Sequence, residues 1–400
     1  MSQEFETIRH DDEAYVMHTY GRYPVALDHG FNAHVWDVDG KEYVDLLAGI
    51  AVTSLGHCND EVCRTLEEQA RRLWHTSNLF YQRPQVELAR RLLGTAHFGR
   101  AFFCNSGAEA NEALIKLARR YMTRIRGKKD ACDIITLSGC FHGRTLGTLA
   151  ATGRDSLMDG FTPVAGGFKQ VPAGDLEALA QAMDEKTCAV LLEVVQGEGG
   201  VIVLDDDYVR GVEALCRERD VLFCCDEVQA GMCRSGRFWA FQTCGVKPDI
   251  ISMAKALANG LPMGGIMATA EVARGFEPGS HATTFGGSPL VASVAAKTVE
   301  IMVRDDMAGR ARILGERVMD RARTFMQAHP GCISEVRGKG LFIGIELPGD
   351  AKDVWSRLLE KGFICNLCHG KTLRLLPPLT ISEADLDAFM ETLEGLLLQN

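Results

Sequence analysis

The chain lacks any apolar run long enough to cross a bilayer, since stretches such as Leu46–Leu55 and Gly264–Ala270 are too short or too broken. Between Met1 and Tyr20 there is no apolar core either, only scattered acidic side chains, which excludes a secretory signal or an arginine-rich transit peptide there. A cytoplasmic protein with no membrane segment is expected. Basic charge is in deficit, with a net charge of -10, which argues against nucleic acid as a main partner. Repeats and low-complexity segments are absent. Cysteine is the exception to this scarcity, at 14 residues. Without an export signal these thiols are expected to stay reduced, most of them as core filler. Cys365-Asn366-Leu367-Cys368-His369 matches a haem-attachment pattern, but that chemistry belongs to exported proteins, and no second ligand pair is spaced to complete a zinc site. Gly370-Lys371-Thr372 resembles half a P-loop, with Cys365 standing where the leading glycine would have to be. No metal is expected.

What is present reads as an ordinary globular enzyme: 400 residues, 46% hydrophobic and 24% charged, enough chain for two or three domains. From Arg100 onward short apolar strands alternate with amphipathic helices, which predicts a mostly parallel sheet covered on both faces. Val221–Cys225 ends in Asp226, and Pro248–Ala254 ends in Lys255. In such sheets ligands lie beyond the carboxyl ends of the strands, so the acid and the amine are expected to face one crevice. A lone lysine after a strand is commonly a snorkelling surface residue, and a lone aspartate a turn residue. Together they match what pyridoxal phosphate requires, a lysine for its Schiff base and an acid for its ring nitrogen.

Other stretches converge on the same edge. Ala101–Cys104 reads as a strand, and Asn105-Ser106-Gly107-Ala108-Glu109 opens a helix, with Ser106 and Glu109 as a capping box. Free N–H groups at that helix start suit a phosphate. Gly139–Thr145 presents Phe141, His142 and Arg144 together, and Gln196-Gly197-Glu198-Gly199-Gly200 suits an irregular loop at the crevice. Val35–Val44 reads as a hairpin around Asp39-Gly40, Asp60–Leu73 and Arg83–Leu93 as amphipathic helices, and Gly338–Glu346 as one strand. Near Val303 the texture turns to charged helix, which marks a second domain.

With Asn105–Asn111, Phe141–Arg144, Gln196–Gly200, Asp226-Glu227-Val228-Gln229, Ala254-Lys255 and Thr283–Gly287 in this order, the chain resembles the class III aminotransferases along almost its whole length. The resemblance implies an α/β chain of the PLP-dependent transferase fold type I, a large domain with a mostly parallel central sheet plus a smaller α+β domain. The expected boundaries are 1–58 as an N-terminal segment contributing to the small domain, 59–302 as the large cofactor-binding domain and 303–400 as the C-terminal small domain. It also implies pyridoxal 5'-phosphate as cofactor, with Lys255 carrying it and then acting as general base. Asp226 would hold the ring nitrogen, Gln229 the ring hydroxyl and Phe141 the ring face, with His142 beside them. Ser106, Gly107 and Ala108 would bind the phosphate with Thr284 of a neighbouring subunit, so a homodimer with shared sites is implied. Arg144 would grip a substrate carboxylate, Arg374 occupies a second carboxylate position with Glu198 as its switchable partner, and Tyr20 would face the substrate.

Within the class the chain is most similar to the acetylornithine aminotransferases, which implies transfer of the δ-amino group of N2-acetylornithine to 2-oxoglutarate. Ile50, where the ornithine-specific enzymes carry an aromatic, argues against free ornithine. Succinylornithine, N-succinyl-diaminopimelate and 4-aminobutyrate remain alternative donors, a glutamate-semialdehyde aminomutase is a weaker alternative, and a non-catalytic relative would have had to keep both Lys255 and Asp226. Val194 and Ser288 depart from the family's proline and asparagine.

Overall fold

In the computed structural model, which describes residues 2–399, the main-sheet strands Thr187–Leu192, Leu222–Asp226 and Ile250–Met253 are buried at every position. Strands covered on both faces lose the polar alternation of a half-exposed sheet, hence their unbroken apolar texture. The sheet runs in the order Arg100–Cys104, Gly264–Ala268, Ile250–Met253, Leu222–Asp226, Thr187–Leu192, Asp133–Leu137, Phe168–Val171. Only Gly264–Ala268 is antiparallel to its neighbours. The other carboxyl ends therefore share one edge. Crossover helices such as Gly107–Arg120 and Asp206–Arg219 cover the faces, the second opened by the Asp205 side chain accepting from the N–H groups of Asp207 and Tyr208.

The C-terminal part holds a four-stranded antiparallel sheet, in the order Glu335–Lys339, Phe342–Glu346, Thr372–Leu375, Asn366–Cys368. Helices Met307–Ala328, Lys352–Glu360 and Glu383–Leu397 accompany it. The N-terminal hairpin His34–Asp37 with Glu42–Asp45 forms as its Asp-Gly turn predicts, and Glu42–Asp45 pairs in parallel with Phe363–Ile364. Arg234, fully buried, ties these parts together by donating to Leu341 O, Pro377 O and Ser54 Oγ. Burial lowers its pKa to about 9, and Asp45 only partly opposes it.

The single strand expected over Gly338–Glu346 is a hairpin instead, Glu335–Lys339 paired with Phe342–Glu346. Gly340 makes the turn at φ +57, and a Cβ there would lie 2.6 Å from Arg234 O. The charged, partly buried first strand gave no apolar run to mark it. The helix expected from Asp60 to Leu73 ends at Ala70, and that from Arg83 to Leu93 forms as expected. Among the described residues no helix is long and apolar enough to cross a membrane.

Candidate active site

Asp226 ends its strand in register with Ser252 on the neighbouring strand, and Lys255 follows three residues later in that second strand's direction. Lys255 takes a left-handed φ of +46 and opens a short 3-10 turn, a conformation that costs a non-glycine residue about 1 kcal/mol. Both side chains line a cavity of about 400 Å³ with Ser106, Gly107, Ala108, Asn111, Phe141, His142, Arg144, Glu193 and Gln229. Nine of the thirteen residues singled out in the sequence meet there.

The acid is built in on all sides. Asp226 Oδ2 accepts from His142 Nδ1 at 2.8 Å and Asn111 Nδ2 at 2.7 Å, while Oδ1 accepts from the N–H of Val228 at 2.9 Å. Burial alone would raise its pKa, but these donors outweigh it and hold the carboxyl below its ordinary value. Asn111 Nδ2 also donates to His142 O at 2.8 Å, which locks acid, imidazole and helix into one unit. For Lys255 the balance runs the other way: burial lowers the ammonium pKa, and the charges of Asp226 and Glu193 only partly oppose it. A buried lysine of this kind spends more time as the free amine, the form that acts as base or nucleophile.

At the start of helix Gly107–Arg120, Ser106 Oγ accepts from the N–H of Glu109 at 3.1 Å. The return half of the expected capping box is displaced: Glu109 Oε2 accepts from Asn105 N at 2.6 Å and Asn105 Nδ2 at 2.9 Å, one residue early. The N–H groups at the helix start are thereby left to face the cavity. Gly107 lies against Val228, whose Cγ1 would be 2.7 Å from any Cβ there. Phe141 lines the cavity with its N–H donating to Glu193 Oε2 at 3.0 Å, and the Arg144 guanidinium sits 5.6 Å from the Phe141 ring centroid.

Arg374 reaches this site from the C-terminal sheet. Buried, it donates through Nη1 to Glu198 Oε1 at 2.5 Å and to Gln229 Oε1 at 3.2 Å. Gln229 is thus joined to Arg374 through its oxygen, which leaves its amide N–H groups for the cavity. A Cβ on Gly197 would collide with the Gln229 amide, so the Glu198 turn approaches this closely only because of that glycine. Burial would raise the Glu198 carboxyl, but Arg374 overrides it and brings it below the ordinary value.

Of the four expected residues that do not line the cavity, Glu198 and Arg374 meet at its edge beside Gln229, whereas Tyr20 and Thr284 are not brought to it in their own chain. Tyr20 is 75% exposed and lines a groove at the N-terminal segment, with the Arg22 guanidinium 5.8 Å from its ring. Thr284 is exposed next to Phe285. Conversely, Asn111 and Glu193 lie in the cavity without having been singled out. Glu193 closes an apolar strand just as Asp226 does, and that signal could have found it; burial and the nearby Asp226 raise its pKa to about 7.

Glu227 points away from the cavity and accepts from the N–H groups of Ala240 at 2.7 Å and Phe241 at 2.8 Å. Burial raises its pKa from 4.5 to about 8. The folded chain therefore keeps a proton that the unfolded chain releases, so this contribution to stability is complete below pH 4.5 and is lost as pH rises toward 8. Thermal melts between pH 5 and 9 are expected to show stability falling with a slope of up to about 1.4 kcal/mol per pH unit from this group. Glu227→Gln, which leaves one N–H without an acceptor, is expected to start less stable at low pH and to show a flatter profile.

Residues 15–397 match the family model described as Aminotransferase class-III. The chain belongs to the class-III aminotransferases. It is 43% identical over 392 residues to the acetylornithine aminotransferase of Methanocaldococcus jannaschii, covering 96% of each chain. To the acetylornithine aminotransferase of Caldanaerobacter subterraneus it is 42% identical over 387 residues, covering 96% of this chain and 98% of the other. Among solved structures, the aminotransferase resembles the ornithine aminotransferase from Toxoplasma gondii ME49 with a TM-score of 0.95 at 32% identity, covering 99% of this chain and 95% of that one. The acetylornithine aminotransferase from Elizabethkingia anophelis matches with a TM-score of 0.89 at 31% identity, covering 99% of both.

Proposed function

We propose that this aminotransferase moves the δ-amino group of N2-acetylornithine to 2-oxoglutarate, giving N-acetylglutamate 5-semialdehyde and glutamate, a step of arginine biosynthesis. The observation that carries the reading is the contact of Glu198 with Arg374 at the edge of a cavity that holds Lys255 and Asp226. An arginine that is masked in one half of the cycle and bared in the other suits an acyl-amine donor and a dicarboxylate acceptor taking turns in one pocket.

The residues fit pyridoxal 5'-phosphate. Among the described residues Asp226 Oδ1 accepts only from the Val228 N–H, so a lone pair remains for a pyridine N–H, and the helix start at Gly107, which lines the cavity, suits a phosphate. When bound, the cofactor supplies an electron sink for the carbon that loses its proton. Lys255 Nζ would take that proton and return it to the carbon two atoms away, across the nitrogen. Asp226, steadied by Asn111 and His142, would keep the ring nitrogen protonated, Phe141 would cover one ring face and Gln229 would donate to the ring hydroxyl. Ser106, Gly107 and Ala108 would hold the phosphate, and Arg144 would take the donor's carboxylate with the bidentate geometry of a guanidinium.

The reading includes a cytoplasmic homodimer. Leu79 and Tyr81 are 88% and 106% exposed, with Phe80 and Phe285 also out in solvent, an apolar face of the kind that marks a protein interface. Thr284 lies beside it, which supports its delivery to a second copy's site.

The test is a half-reaction without acceptor. Mixed separately with N2-acetylornithine, succinylornithine, 4-aminobutyrate and ornithine, the yellow protein is expected to lose its cofactor absorbance fastest with N2-acetylornithine. A faster loss with 4-aminobutyrate would overturn the donor assignment, and no loss with any amine would overturn the transaminase itself. Glu198→Ala is expected to raise the glutamate rate relative to the acetylornithine rate by roughly 10- to 100-fold, the worth of a hydrogen bond between charged groups; an unchanged ratio would sink the gate.

A further inference from the structure

The C-terminal sheet grips more of the Glu198 turn than its side chain. His369 Nε2 lies 3.0 Å from the Glu198 carbonyl oxygen, and since a carbonyl only accepts, that nitrogen must carry a proton. Arg337 donates to Gly200 O through Nη2 at 2.7 Å and Nε at 3.0 Å, and to Val201 O through Nε at 3.1 Å. It is held in turn by Glu346 at 2.8 Å and by Thr372 Oγ1 at 3.2 Å. Thr372 and Arg374 share one strand, and His369 sits in the tight turn that leads into it, at φ +51. His369 also closes the Cys365–His369 motif. Its cysteines are buried, and burial raises the Cys365 thiol to about 12, so they stay protonated while the imidazole turns to the Glu198 loop.

The backbone is thus fixed at Glu198 and just after it, and the only hydrogen bond or ion pair of the Glu198 carboxylate among the described residues is to Arg374. We propose that His369, backed by Arg337, is a positioning residue for acceptor selection: it pins the Glu198 backbone so that the carboxylate rests over Arg374 and uncovers it by side-chain rotation rather than by loop movement. This deepens the gate reading above and rests on it. Both the neutral ring protonated at Nε2 and the charged ring can donate to the carbonyl, so the latch does not depend on His369 carrying charge.

The experiment titrates the cofactor-loaded enzyme with glutarate, a dicarboxylate without an amine, and measures the acetylornithine half-reaction alongside. His369→Asn keeps a residue type that tolerates the left-handed turn, but its amide is too short to span to the Glu198 carbonyl. It is expected to bind glutarate roughly three- to tenfold more tightly, the worth of one hydrogen bond, without a faster donor half-reaction. His369→Gln, which restores a longer donor, is expected to return glutarate affinity toward the starting value. In a Glu198→Ala background, His369→Asn is expected to add nothing, because the latch acts through Glu198. A general structural loss would weaken both measurements together and would not be rescued by glutamine. If Glu198→Ala tightens glutarate binding and His369→Asn does not, the latch is wrong and the gate stands. If Glu198→Ala leaves glutarate binding unchanged, the gate fails and the latch falls with it.

Discussion

Lys255→Ala is expected to reduce turnover by at least roughly 10⁴-fold, because one side chain supplies both the covalent anchor and the base. No neighbour can replace it, because the other groups of the cavity wall offer no second amine. The substitution should leave folding intact. Alanine meets the same left-handed strain at φ +46 that lysine already bears, and the burial that depresses the Lys255 pKa also means that removing the amine relieves a desolvated group. The expected result is a folded protein with an unchanged or higher Tm, no turnover and no absorbance from cofactor bound through the amine. Turnover within about tenfold of the parent would refute the central assignment.

Asp226→Asn is expected to cost roughly 10³-fold in turnover. An ion pair near 4 Å at an effective dielectric of 20 is worth about 4 kcal/mol, equivalent to about three pK units at the cofactor nitrogen. This variant should also be less stable, unlike the lysine variant. The two carboxylate oxygens face donors on both sides, His142 and Asn111 at one and Val228 at the other. An amide turned either way presents its NH₂ to one of those donors, and a buried donor left without its acceptor costs about 1–3 kcal/mol. Measured kcat and Tm should fall together. A variant that melts like the parent and turns over within tenfold of it would show that the Asp226 charge is dispensable.

The strand-end placement of Asp226 and Lys255 was legible because an unbroken apolar run announces a buried strand and its last polar residue announces the edge. Gly107 was legible for the same reason, as was the turn of glycines around Glu198. Asn111 was not. It lies on the first turns of a helix, where its spacing is that of any helical residue, and its bonds go to Asp226 and His142, far off in the chain. Glu193 was readable from its strand but was masked by the louder Gln196–Gly200 turn beside it. The hairpin at Gly340 was misread because its first strand, Glu335–Lys339, is charged and only partly buried, so no apolar run announced it beside the apolar strand Phe342–Glu346. Tyr20 and Thr284 show the opposite limit. Their matching residue types marked them as site residues, whereas the fold of one chain leaves both on its surface.

By itself the sequence determined the alternation of strands and helices, the buried character of the sheet, the acid and amine at two strand ends, and the polar loops beside them. These are local properties, set by periodicity, turn chemistry and side-chain type within a few residues. Tertiary structure decided which of those groups touch. The order of the strands brings Asp226 beside Ser252, the helix after Cys104 carries Asn111 onto the carboxylate, and the C-terminal sheet delivers Arg374 and His369 to the Glu198 turn. Such contacts join residues from 26 to 176 positions apart, where a shift of one residue in register would turn each side chain to the opposite face. No local pattern specifies that register. It follows from packing the whole core at once.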